Sequence, residues 1–122
     1  MPPTTPPAGI HVPALLSEIP GFSCAFTHRL GGYSQGPFES LNLKYPVTPQ
    51  HEPNGDSNVW NNRQKVCEYL GLRTDRLVAC QQVHGKSVYS VEARDAGRGA
   101  KAHEDGIPET DGLLTTALGI PL

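Results

Sequence analysis

The residues predict a mixed helix-and-strand fold that reads as half of an α/β protein. Three observations predict it. Residues 22–27 (Phe-Ser-Cys-Ala-Phe-Thr) alternate with period two, residues 58–70 carry helix start and stop signals around an apolar stripe, and apolar runs at 77–83 and 87–91 flank a turn. The chain has 122 residues, enough for one domain at most. Gly and Pro together make 25 of them, about a fifth against an average of roughly 12%, and 37% of the residues are hydrophobic. Three stretches read as irregular: the Pro-rich residues 1–20, which we expect to be disordered, residues 44–57 and residues 93–109. Setting them aside leaves on the order of 70 residues for a core, near the lower limit for independent stability.

Taken in order, the first strand places Phe22, Cys24 and Phe26 on one face. It runs into His28-Arg29-Leu30-Gly31-Gly32, where the glycines permit positive φ and close backbone approach. Leu41-Asn42-Leu43 reads as a second, short extended piece. The helix follows, with Asp56, Ser57 and Asn58 as N-cap candidates and Gly71 as its stop. Its stripe is Val59, Val66 and Leu70, with Cys67 beside it and a polar Asn62 within it. Asn62 on a buried face must be hydrogen-bonded, either to tie down a neighbouring loop or to organise a ligand-binding one. Residues 77–83 and 87–91 read as strands joined at His84-Gly85-Lys86. The last segment, from Asp111 to Leu122, becomes more apolar towards its end, as a strand entering a core would.

A net charge of −2 excludes a general nucleic-acid or membrane-surface binder, and no apolar run approaches the roughly 18 residues of a membrane span. Cys24, Cys67 and Cys80 are odd in number and lack C-x-x-C spacing, which fits reduced thiols. No signal peptide is read at the N-terminus, and the cytoplasm is the expected compartment.

Chemistry has few candidates. Of His11, His28, His51, His84 and His103, none pairs at helical metal-ligand spacing, and His11, His51 and His103 sit in the irregular stretches. His84 stands apart, at a turn after Gln81 and Gln82; by spacing alone it is a surface residue or a ligand. Arg29 beside Gly31 and Gly32 is a surface residue or a grip for phosphate or carboxylate. The glycines match neither G-x-G-x-x-G nor a P-loop, and Cys80 is at best a weak nucleophile.

A string of short motifs adds to this. Thr27-His28-Arg29-Leu30-Gly31-Gly32-Tyr33-Ser34, then Ser40-Leu41-Asn42-Leu43, Gly55-Asp56, Asn62-Arg63, Gln82-Val83-His84-Gly85 and Asp111-Gly112-Leu113-Leu114-Thr115 occur in order. In order and rough spacing they resemble the laccase-domain family, also called multicopper polyphenol oxidoreductase-like or YfiH-like, over residues 21–122. The match covers the N-terminal half of a family domain. The resemblance implies an α+β fold, mixed β-sheets layered with helices in an αββα-like arrangement, here incomplete. It also implies a purine nucleoside phosphorylase that deaminates adenosine and cleaves methylthioadenosine, with zinc held by two histidines and a cysteine. His84 matches the first of those histidines and carries both the catalytic and the metal expectation. Arg29, Asn42 and Asn62 are the expected contacts to purine nucleoside and phosphate. The Thr-Ala-Asp-Cys and His-Ala-Gly-Trp-Arg-Gly motifs of the other two ligands do not occur, so the isolated chain is expected to be inactive without a C-terminal half. Residues 44–54 are longer and richer in proline than the family pattern, and the spacing from Gly55-Asp56 to Asn62-Arg63 is shorter. Two rivals remain: a non-catalytic nucleoside-binding or split-protein partner, and a copper-dependent phenol oxidase. Copper bound in vitro would not establish the latter, because copper outcompetes zinc at many N/S sites.

Overall fold

The computed structural model describes residues 5–46 and 55–122. The elements are β1 (Ile10–His11), α1 (Ala14–Ser17), β2 (Phe26–Thr27), α2 (Gly55–Tyr69), β3 (Val88–Val91) and β4 (Gly112–Thr115), with short 3-10 turns between them. They fall into two compact units, residues 5–43 with 55–71 and residues 44–46 with 72–122. Helix and mixed small sheets give an α+β fold, as expected. Among the described residues no helix is long and apolar enough to cross a membrane.

In the first unit, α2 begins three residues ahead of the expected start and ends within one residue of the expected stop. Asp56 in its first turn suits the positive end of the helix dipole. At the other end Gly71 takes φ +71° and donates its N–H to Glu68 O, the left-handed stop its sequence position suggested. Of the expected stripe, Val59 and the polar Asn62 are buried, as is Cys67 beside it, while Val66 and Leu70 are half-buried.

The strand expected over 22–27 shrinks to two residues. β2 pairs antiparallel with β1, Ile10 opposite Thr27 and His11 opposite Phe26, and β1 stops because Pro13 turns the chain into α1. The strand therefore has no partner before Phe26, and the face that carries Phe22 and Phe26 is open, both residues being exposed. Part of the Pro-rich start is thus built into this unit. Leu41-Asn42-Leu43 joins no ladder either. Its backbone bonds go instead to Arg29 O, from the Leu41 N–H, and to side chains of α2: Asn42 O accepts from Asn62 and Leu43 O from Arg63.

The second unit is built on a parallel pair. β3 and β4 run side by side with Val88 opposite Gly112 and Val91 opposite Thr115. Its core is Val78, Val91, Ile107 and Ile120, with Cys80, Tyr89 and Leu113 packed against it. The hairpin expected between residues 77–83 and 87–91 does not form. Residues 78–81 are hydrogen-bonded to three separate segments, through Pro121 O, Arg98 O and both backbone groups of Ile107. A single bridge, Cys80 with Ile107, is all the strand character they gain. Residues 93–109, read as irregular, do lack long elements but supply buried Asp95, Ala100 and Ile107. His51 and most of the Pro-rich insert lie outside the described residues.

Candidate functional site

His84 sits at the crest of the turn between Cys80 and β3, its side chain in solvent. Its backbone is in the left-handed region, φ 59°, which costs a non-glycine residue about 1–2 kcal/mol. One side chain holds the turn there. Asp111, immediately before β4, accepts three consecutive backbone N–H groups: Val83 (3.1 Å) and His84 (2.6 Å) on Oδ1, and Gly85 (2.8 Å) on Oδ2. Asp111 is itself fixed, since its own N–H and that of Gly112 both donate to Ser87 O. Burial pushes the Asp111 carboxyl up, but the three amide donors and the nearby His84 outweigh it and hold the carboxyl below its usual range.

Two neighbouring features tighten the same region. Gln81 donates from Nε2 to His103 O and Glu104 O, both at 3.1 Å, which ties the 3-10 turn at His103–Asp105 to the strand-like segment leading to His84. Burial raises the Cys80 thiol, with Asp111 adding to the effect, so this cysteine is a packing residue and a poor nucleophile.

The other three candidates lie in the first unit. Asn62 is fully buried, and its amide organises the loop from Tyr33 to Asn42. Oδ1 accepts the Tyr33 N–H at 2.8 Å, while Nδ2 faces Ser34 Oγ (3.0 Å), Ser40 O (3.2 Å) and Asn42 O (2.8 Å). Asn42 therefore meets Asn62 through its backbone carbonyl. Arg29 is exposed, and its guanidinium donates from two nitrogens to Glu39 O, at 3.1 and 2.8 Å. The glycines beside it serve close packing: a Cβ on Gly32 would lie 2.1 Å from Ser40 O, and one on Gly31, at φ +86°, would lie 2.3 Å from Ala8 O. The Gly32 N–H is already engaged by Ser40 Oγ, and Lys65 Nζ donates to Gly31 O. The structure thus joins Arg29, Asn42 and Asn62 to one loop system, and His84 to Asp111 in the other unit.

The donor set can be tested against zinc. Among the described residues no group of three or more His, Cys, Asp or Glu side chains could hold a metal ion. Asp111, the acid next to His84, has both oxygens committed to backbone amides. These residues alone do not fit a zinc site. Sequence reasoning quoted Asp111 only as part of a motif. An Asp preceding an apolar run is an amide acceptor in waiting, but its partners lie 26 to 28 residues away, beyond any local pattern.

Residues 23–122 match the family model described as multi-copper polyphenol oxidoreductase laccase. Purine nucleoside phosphorylase YlmD of Geobacillus stearothermophilus is 36% identical over 102 residues, which are 84% of this chain and 35% of the relative. The crystal structure of YlmD from that organism aligns with a TM-score of 0.73 over 83% of this chain and 36% of the other. A Bacillus licheniformis hypothetical protein, YfiH, is 27% identical and aligns with a TM-score of 0.78 over 93% and 39% of the two chains. The chain spans about a third of the length of the curated relatives it matches.

Proposed function

The chain belongs to the multi-copper polyphenol oxidoreductase laccase family, and from that premise we propose that it forms the amino-terminal part of a cytoplasmic purine nucleoside phosphorylase. Relatives named purine nucleoside phosphorylase support the reaction class, and the observation that carries the site is His84, exposed on a turn held by three hydrogen bonds. In phosphorolysis a phosphate oxygen attacks C1′ of the ribose as the C1′–N9 bond breaks. The bonding pair leaves with the purine, which then takes a proton. An imidazole on a fixed, solvent-facing turn can form a hydrogen bond at the leaving base. Arg29 is the candidate cation for phosphate. Asn62 acts at one remove: it sets the loop that carries Arg29's partner Glu39 and the Asn42 backbone.

The resemblance assigns zinc to two histidines and a cysteine, of which this chain supplies His84. A set of three such ligands, His84 among them, would supply Lewis-acid chemistry of the kind adenosine deamination calls for. A lone imidazole does not fix that geometry, so the 122 residues by themselves are inactive on this reading.

Phosphate-dependent release of hypoxanthine from inosine tests the proposal. The chain alone should be silent, and the chain joined to a polypeptide carrying the Thr-Ala-Asp-Cys and His-Ala-Gly-Trp-Arg-Gly motifs should turn over. Turnover by the chain alone would overturn the inactivity, and silence of the correctly folded joined protein would overturn the phosphorylase reading.

A further inference from the structure

We propose that Asp111 is a positioning residue for His84: by accepting the amide protons of Val83, His84 and Gly85 it holds the turn in the single conformation that presents the imidazole. This rests on the reading of His84 as the reactive side chain of a phosphorylase site. The geometry is specific in three ways. First, His84 occupies the left-handed region, φ 59°, a conformation a non-glycine residue leaves readily unless its surroundings impose it. Second, successive N–H groups at 3.1, 2.6 and 2.8 Å converge on the two oxygens of one carboxylate, a nest closed by an anion from within the chain. Third, the carboxylate stands on a rigid base, between two amides that share Ser87 O and at the head of β4, which is laddered to β3. The turn and its brace therefore move together. A displacement of about 1 Å at a reacting group can cost about 10²-fold in rate, so a brace of this kind is felt in turnover even though Asp111 touches no substrate.

The test is Asp111→Asn, which keeps the shape but sets an amide NH2 against at least one of the three N–H donors. Hydrogen exchange at the Val83, His84 and Gly85 amides reads the turn without any turnover, and the amides of Tyr89, Val91 and Leu114, which the parallel register turns towards the partner strand, report whether the β3–β4 ladder survives. We expect exchange at the three turn amides to rise about tenfold or more, with the ladder amides unchanged. In the protein competent for phosphorolysis we expect kcat to fall towards the His84→Ala value, with KM for inosine changed less. Unchanged exchange at the turn overturns the proposal whatever the activity. Faster exchange with undiminished kcat overturns it too, wherever His84→Ala is impaired. Full activity in His84→Ala removes the phosphorylase role of His84, and the exchange rates then decide the bracing alone. Should Asp111→Asn lose the ladder, Asp111→Glu, which keeps the charge and shifts it by one methylene, carries the same measurement.

Discussion

Replacing Asn62 is the most informative test of how the first unit is held. Its amide is fully buried and makes four hydrogen bonds, at 2.8, 3.0, 3.2 and 2.8 Å, all to the loop between Tyr33 and Asn42. In Asn62→Ala the Tyr33 N–H loses its acceptor, which costs about 1–3 kcal/mol. Ser40 O is less exposed to loss, because it keeps the Ser34 N–H at 2.9 Å. The bonds to Ser34 and Asn42 contribute about 1 kcal/mol each in net terms. The sum is about 3–5 kcal/mol, set against about 5–15 kcal/mol for a whole domain. Asn62→Asp is the sharper variant. It keeps an acceptor for Tyr33 but turns a second anionic oxygen towards Ser40 O and Asn42 O, so it should lose at least as much at neutral pH. Urea unfolding followed by the fluorescence of Trp60, the single tryptophan, reads the same helix. With a slope of about 1.5–2 kcal/mol/M, the midpoint should fall by roughly 1.5–3 M. A loss below about 1 kcal/mol in Asn62→Ala, or an Asp variant as stable as the parent, would refute the assigned bond network.

Two further outcomes follow from the packing and the charges. Gly32→Ala drives a Cβ to within 2.1 Å of Ser40 O and should destabilise by about 1–3 kcal/mol in a thermal melt; a neutral result would mean that the two segments are not in contact. The Asp95 carboxyl lies below its usual range. The Glu92 N–H is the main cause; burial opposes it, and the Tyr89 hydroxyl and Arg98 add to it. A depressed folded-state pKa gives stability that is present above the unfolded value of about 3.9 and is lost as pH falls through the folded one. Melting temperature should therefore drop through that acid window in the parent and drop less in Asp95→Asn, and identical profiles would remove Asp95 from the acid response.

How far the fold could be read from the sequence depended on how local each determinant was. α2 was legible because its stripe and its stop at Gly71 are written within one helix. The buried polar Asn62 was legible for the same reason, and of its two readings the loop-tying one describes its hydrogen bonds directly. Strand pairing was not legible. Residues 87–91 were recognised as extended, yet nothing near His84 indicates that the partner is Gly112–Thr115, in parallel, and not the segment just before the turn. β2 failed for a related reason: its length is capped by Pro13, far back in a stretch read as irregular. At the candidate site the turn was visible from Gly85, but the strain falls on His84 itself and is borne by Asp111, 27 residues on. Arg29 shows how a motif can serve two ends, since its guanidinium ties the loop through Glu39 O while its position keeps it at the surface.

The most direct measurement is the rate of inosine phosphorolysis by the protein that carries this chain together with the remaining metal-ligand motifs, compared with its His84→Ala variant. The account expects kcat to fall by about 10²-fold or more, with the fold unchanged by circular dichroism. A variant that turns inosine over within roughly twofold of the parent rate would contradict it, because the imidazole would then take no part in the chemistry.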